Sequence, residues 1–315
     1  MKILSLHPLR DLQLASIKDA VPMADVRIAK ASECAPYLSD TDVLLAFGQV
    51  DLAPILPLAP TLRWVQALTA GVDGFIALDE FRKSDILLTN VRGIHGIPIA
   101  EHVLGMILSR TRGLLIAHDN QKEKQWKSLR WVDEIYGKTA VIVGLGSVGR
   151  VIANRLKSMG MTVWGIKQSM SVEPDIDRLF QSEALFDILP QADFVIVALP
   201  LTPQTQELFS KAAFHAMKPS AFFINVSRGP IVNEKDLFEA LRSGTIGGAG
   251  LDVFCEEPLP ADSPLWGAPN LLITPHHAAT SPRYMERAIQ VFVDNLRAFP
   301  DTSKMKNVID KERGY

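Results

Sequence analysis

Residues 141–149 read Val141-Ile142-Val143-Gly144-Leu145-Gly146-Ser147-Val148-Gly149. A short apolar run enters a G-x-G-x-x-G turn, and Arg150-Val151-Ile152-Ala153-Asn154-Arg155-Leu156 behind it has the composition of a helix. In a strand–turn–helix context each glycine has a physical role. Gly144 permits the tight turn, Gly146 lets backbone approach a pyrophosphate, and Gly149 lets helix pack closely on strand. The helix start, at Ser147 and Val148, offers unpaired N–H groups and the positive dipole end to an anion. The expectation is a dinucleotide site.

Outward from this motif, the long stretch ahead of it is enough for a domain of its own, and 315 residues with 47% hydrophobic content can bury two cores. Lys plus Arg number 33 against 35 Asp plus Glu, a net charge of −2. That balance argues against nucleic acid as a partner. The two cysteines, Cys34 and Cys255, suit a reduced compartment and form no metal-ligand cluster; Cys255 reads as a small apolar filler. Met1-Lys2-Ile3-Leu4-Ser5-Leu6 resembles a first strand more than a signal peptide, and no apolar segment is long enough to span a bilayer. The expected setting is cytoplasmic, with no membrane partner and no bound metal.

Short apolar runs alternate with helix-like segments throughout. Val43–Phe47, Leu62–Ala67 and Ile86–Asn90 precede a long helix from near Pro98 through Leu108. A polar, tryptophan-bearing connection, Gln121 to Trp131, leads to the glycine-rich strand, and helix and connection together read as the crossing between domains. After it come Thr162–Ile166, Phe194–Leu199, Ala221–Val226, Gly248–Val253 and Leu271–Thr274. This alternation predicts an α/β chain with parallel sheets, and ligands in such sheets bind outside the strand C-termini. The final helix, about Pro282 to Phe299, is expected to return to the first domain; a cap on the second is the other reading.

Three strand ends carry the chemistry. Asn225-Val226-Ser227-Arg228-Gly229-Pro230 sets an arginine at a turn, a planar fork for a carboxylate. Leu251-Asp252-Val253-Phe254-Cys255-Glu256-Glu257-Pro258 supplies acids, and Thr274-Pro275-His276-His277 supplies imidazoles. Together these are the parts of a general acid/base oriented by a carboxylate, with an arginine anchoring substrate. On residue type alone, Arg228 also fits a structural ion pair and Glu257 a solvated loop acid, and only one of the two histidines is needed.

The order GLGSVG, Leu199-Pro200-Leu201-Thr202-Pro203, NVSRGP, LDVFCEEP, TPHH resembles the D-isomer-specific 2-hydroxyacid dehydrogenase family, in its glyoxylate/hydroxypyruvate reductase-like form. Thr69-Ala70-Gly71-Val72-Asp73, Thr89–His95 and Ala100-Glu101-His102 extend the likeness over nearly the whole chain. The resemblance implies two Rossmann-like, doubly wound parallel-sheet domains with the active site in a cleft between them. Residues 1–100 plus 283–315 would bind substrate and 101–282 the dinucleotide, with a homodimer built mainly on the cofactor domains. Position by position, it implies Arg228, Glu257 (the glutamate before proline) and His276 (the histidine after proline) as catalytic residues. Ala70 and Gly71 would hold the substrate carboxylate through N–H groups, beside Arg228 and His276. Asp252 would meet the nicotinamide carboxamide, and Leu199, Pro200, Thr205 and Val226 would line the cofactor. A 2-keto acid would receive hydride at its carbonyl carbon and a proton from His276 as the alkoxide develops, with ionised Glu257 stabilising the imidazolium. The product would be a D-2-hydroxy acid. A dinucleotide-sensing regulator on the same scaffold, or a dehydrogenase of formate or phosphite, are the other classes; a proton-donating histidine paired with an acid suits neither.

One departure is informative. Rossmann sites for NAD usually carry an acid after the second strand, whereas here the run is Val163-Trp164-Gly165-Ile166-Lys167-Gln168-Ser169. Lysine with hydroxyl attracts a 2′-phosphate, so NADP(H) is expected over NAD(H), with Lys167 and Ser169 on the phosphate and Gln168 nearby. Phe47-Gly48-Gln49, Leu68-Thr69 and the last helix are expected to shape the substrate pocket. Arg92, His95, His277, Trp266 and Tyr284 are further candidates for contact, with packing the alternative, and His102 is expected to form a hydrogen bond between domains.

Overall fold

The computed structural model describes residues 1–130, 132–170 and 172–312, so Trp131, at the end of the expected crossing, lies outside the described residues. The chain divides into two compact units, 1–94 with 281–315, and 95–280. Each is a parallel sheet with helices.

In the first unit β1 (Lys2–Ser5), β2 (Asp25–Ile28), β3 (Val43–Ala46), β4 (Trp64–Ala67) and β5 (Leu87–Thr89) pair in parallel in the order β2-β1-β3-β4-β5. β3 and β4 are buried along their whole length, which their runs V-L-L-A and W-V-Q-A require of strands covered on both faces. The one polar side chain in that pair is satisfied: Thr89 Oγ1 donates to Gln66 Oε1 at 2.8 Å and accepts from Trp64 Nε1 at 2.8 Å. The last helix, Tyr284–Ala298, belongs to this unit. Its Ala288, Ile289, Phe292, Val293 and Leu296 stripe packs with Ile3, Val43, Leu45 and Trp64.

In the second unit β6 (Thr139–Val143), β7 (Thr162–Ile166), β8 (Arg178–Phe180), β9 (Phe194–Val197), β10 (Phe222–Asn225), β11 (Gly248–Leu251) and β12 (Leu271–Ile273) run parallel in the order β12-β11-β10-β9-β6-β7-β8. The period-2 alternation of strand side chains builds a core on each face. Val141, Val143, Val195, Val197 and Phe223 point into one, and Ala140, Ile142, Phe194, Ile196 and Ile224 into the other. The strand order reverses between β6 and β9, and at such a switch point the crevice outside the strand C-termini is open to ligand. The motifs GLGSVG, LPLTP, NVSRGP, LDVFCEEP and TPHH all follow the C-terminal ends of strands in this sheet.

Candidate active site

The glycine turn leaves β6 at Gly144, whose φ of 104° suits a residue without a side chain. A Cβ on Gly149 would lie 2.0 Å from the Gly144 carbonyl oxygen, so helix and turn are in contact. A Cβ on Gly146 would meet nothing within 4 Å. Gly146 is also the N-cap of helix Ser147–Ser158 and brings no side-chain cap, leaving the first amides, at Ser147, Val148 and Gly149, to an outside acceptor. These residues fit a dinucleotide pyrophosphate. Leu199 and Pro200 follow β9 beside the turn, and Thr205 ties that loop down by donating to the Pro200 carbonyl at 2.7 Å and accepting from Thr202 N–H at 2.8 Å. Val226 is buried at the end of β10. After β7, Gln168 and Ser169 are exposed, while Lys167 Nζ lies 2.8 Å from Glu173 Oε1. Glu173 carries no sequence signal, because nothing in residues 170–177 is periodic.

Beyond β10, Asn225 shapes the turn that presents Arg228. Its Oδ1 accepts from the Ser227 N–H and hydroxyl at 3.1 and 2.7 Å, and its Nδ2 donates to the Arg228 carbonyl at 2.9 Å. Arg228 is exposed, with Nη1 donating to the Ser227 carbonyl at 2.8 Å. Beyond β11, Asp252 is buried and both of its carboxylate oxygens are in use. Oδ1 accepts from Thr274 Oγ1 at 2.6 Å and His277 N–H at 3.1 Å, and Oδ2 from Ala278 N–H at 2.9 Å. Its main-chain carbonyl accepts from His276 N–H at 2.8 Å. Asp252 thus braces the loop after β12, where His276 adopts a left-handed φ of 49°. That brace brings His276 Nδ1 to 2.6 Å from Glu257 Oε2, while Glu257 Oε1 accepts from Phe254 N–H at 2.9 Å. With Nδ1 engaged by the Glu257 carboxylate, Nε2 is the ring nitrogen with no protein partner among the described residues.

His102 bonds within its own unit, its Nε2 lying 3.0 Å from Thr274 Oγ1, and its ring meets His277 edge-on at 5.2 Å. This corrects the expected interdomain role: the histidine ties helix Gly96–Thr111 to the end of β12. His95, buried ahead of the same helix, has its imidazole pushed down to about 4, first by desolvation and then by the Arg228 guanidinium. Its ordinary value is 6.5. Between those two values the unfolded chain binds more protons than the folded one, so acidification through this window removes stability, by at most about 1.4 kcal/mol per pH unit. Urea unfolding at about pH 7 and about pH 5 should show that loss in the parent and a flatter dependence in His95→Asn; matching slopes would refute it.

In the first unit the segment after β4 is held by Thr69 Oγ1, which donates to the Gly71 carbonyl at 2.7 Å, and by Asn90 Nδ2, which donates to the Ala70 carbonyl at 2.6 Å. Among the described residues, no protein acceptor takes the Ala70 or Gly71 N–H. Tyr284 donates its hydroxyl to the Leu68 carbonyl at 2.8 Å, and burial pushes its phenol up to about 12. Its ring stacks on Phe47 at 6.4 Å, and Phe47 meets His7 edge-on at 5.0 Å. Phe47, Leu68 and Tyr284 therefore form one cluster. Arg92 N–H caps Asn90 Oδ1 at 3.0 Å, and Trp266 Nε1 donates to the Pro260 carbonyl at 2.9 Å, both local contacts.

Residues 104–278 match the family model described as D-isomer specific 2-hydroxyacid dehydrogenase, NAD binding domain. Over 300 residues the chain is 31% identical to a glyoxylate reductase of Korarchaeum cryptofilum, covering 93% of this chain and 88% of that protein. The crystal structure of a D-isomer specific 2-hydroxyacid dehydrogenase family protein from Aeromonas salmonicida superposes with a TM-score of 0.89 at 38% identity, covering 98% and 99% of the two chains. An NADPH-dependent glyoxylate/hydroxypyruvate reductase from Sinorhizobium meliloti, solved with NADP and sulfate, superposes at 0.83 with 28% identity, covering 100% and 99%. The chain belongs to the D-isomer-specific 2-hydroxyacid dehydrogenase family, as an NAD(P)-dependent enzyme of the 2-keto acid reductase type. No helix among the described residues is long and apolar enough to cross a membrane.

Proposed function

We propose that the enzyme reduces a small 2-keto acid of the glyoxylate or hydroxypyruvate type to its D-2-hydroxy acid, with His276 as general acid, Glu257 as its orienting carboxylate and Arg228 as the anchor for the substrate carboxylate. The observation carrying this reading is the 2.6 Å contact of His276 Nδ1 with Glu257 Oε2. A carboxylate on Nδ1 fixes the ring and leaves Nε2 to hand a proton to the carbonyl oxygen. The reduced nicotinamide, when bound, supplies the hydride. Arg228 offers a planar fork to the substrate carboxylate and positive charge beside the developing alkoxide. The amides of Ala70 and Gly71 are proposed as further carboxylate donors, and Asp252 as a partner of the nicotinamide carboxamide. Relatives described as glyoxylate and hydroxypyruvate reductases support the substrate class.

Lys167 and Ser169 are assigned to a 2′-phosphate, with Gln168 nearby, so NADP(H) is the preferred cofactor. The relative solved with NADP agrees with this preference. Loss of the reduced-nicotinamide absorbance should be fastest with NADPH and glyoxylate or hydroxypyruvate, ahead of pyruvate and phenylpyruvate. kcat/KM for NADPH should exceed that for NADH by about tenfold or more, the value of one charge-assisted hydrogen bond. Equal or better use of NADH would overturn the preference. A homodimer is also proposed: helix Leu114–Lys122 exposes Leu114, Leu115 and Ile116 in the second unit. A cytoplasmic setting suits NADPH and two free thiols.

A further inference from the structure

Two cations converge on one buried carboxylate beside the glycine turn. Arg150 holds Glu173 with both sides of its fork, Nε to Oε2 at 2.8 Å and Nη2 to Oε1 at 2.9 Å. Lys167 Nζ meets the same Oε1 at 2.8 Å. The Glu173 side chain is 3% exposed, whereas those of Arg150 and Lys167 are 52% and 20% exposed. The carboxylate is therefore the buried anchor, and the cations form its outer layer. One carboxylate between two cations leaves the trio a positive charge in excess. Its placement is telling. Arg150 directly follows Gly149 on the helix of the glycine turn, and Lys167 directly follows β7, with its N–H bonded to the Phe180 carbonyl at 3.0 Å. A dinucleotide whose pyrophosphate lies on Gly144–Gly149 brings its adenine ribose to the end of that second strand.

We propose that Arg150 is a second ligand of the cofactor's 2′-phosphate, and that Glu173 is the positioning residue that holds Arg150 and Lys167 as a pair. The inference rests on the NADP reading of Lys167 and deepens it. Arg150 spends Nε and Nη2 on Glu173, and its Nη1 donors have no protein acceptor among the described residues. Such a fork binds one anion along one edge and offers the other to a second. A buried ion pair contributes little stability by itself, so anchoring two partly exposed cations on one hidden carboxylate is better explained by orientation. With both oxygens already facing cations, Glu173 is a poor acceptor for the 2′-hydroxyl of NADH.

The test measures binding of adenosine 2′,5′-bisphosphate and of AMP to the full chain by calorimetry, because the two probes differ only in the 2′-phosphate. The parent should prefer the bisphosphate. Arg150→Met should weaken bisphosphate binding tenfold or more, leave AMP within twofold, and reduce the salt dependence of bisphosphate binding. Glu173→Gln should lose part of the same preference and add little in the Arg150→Met background, since both act on one cation pair. Lys167 still meets Glu173 in the decisive variant, and a melting curve of each variant separates a loss of fold from a loss of phosphate binding. Equal loss for both probes, or none for either, would overturn the role of Arg150. Were Lys167→Met to abolish the preference while Arg150→Met kept it, the NADP reading would stand and this inference would fall. No preference in the parent would sink both.

Discussion

Replacing His276 by glutamine is expected to lower turnover by about 10²–10⁴-fold, the range attached to a positioned general acid. Dinucleotide affinity should stay within about twofold. Glutamine still reaches for a hydrogen bond but has no acidic proton to give. The residues expected to bind the cofactor lie on other segments: the pyrophosphate would meet the turn after β6, and the ribose would meet the end of β7. The variant should therefore bind NADPH, read by quenching of protein fluorescence, and turn it over poorly. Cys255, close to Glu257 in the chain, offers no substitute route. Burial and then Glu234 push its thiol up to about 12, so it stays protonated. A glutamine variant within about tenfold of parental turnover would remove His276 from the reaction.

How much of this arrangement is legible in the sequence depends on burial. Central strands announce themselves: β3, β6, β9 and β10 are short apolar runs because both faces of a parallel sheet are covered. The edge strands β2 and β8, with D-V-R-I and R-L-F partly exposed, look like loop and escape a periodicity reading. Helix Leu114–Lys122 escapes for a related reason: it has no buried residue to mark a stripe. At the site, local chemistry is visible in types and order, as at Arg228, Glu257 and His276. What is invisible is the bracing. Nothing in Leu251–Pro258 says that Asp252 takes the Thr274 hydroxyl and the N–H groups of His277 and Ala278, because those partners come from another strand end. Glu173 is hidden likewise: its meaning is spatial, set by a cation twenty-three positions earlier in the chain. Lys167 read alone is a lone cation after a strand, whereas in the structure it is one of a pair.

Gly229→Ala should be among the most damaging conservative changes in the second unit. A Cβ at Gly229 would lie 1.9 Å from the Phe254 carbonyl carbon, 2.1 Å from its oxygen and 2.4 Å from the Cys255 nitrogen. These are backbone atoms with little freedom to yield. Phe254 N–H is bonded to Glu257 at 2.9 Å and Cys255 N–H to Glu234 at 2.7 Å. The loop after β10 and the loop after β11 thus touch backbone to backbone, one residue from Arg228 and two from Glu257. Overpacking usually costs about 1–3 kcal/mol, and a clash between two pinned main chains belongs at the upper end. For a unit of this size, about 3 kcal/mol lowers the unfolding midpoint by roughly 6–12 °C. Activity should fall further than stability explains. A displacement on the order of 1 Å between groups that hold a substrate can cost about 10²-fold in kcat/KM, measured well below the midpoint. Gly267→Ala is the control, since a Cβ there meets nothing within 4 Å, and it should match the parent in both measurements. A Gly229→Ala protein with parental melting and parental kcat/KM would mean that the two loops are not packed as described. If instead the midpoint drops while kcat/KM holds, Arg228 and Glu257 keep their separation by some other contact, and the glycine serves packing alone.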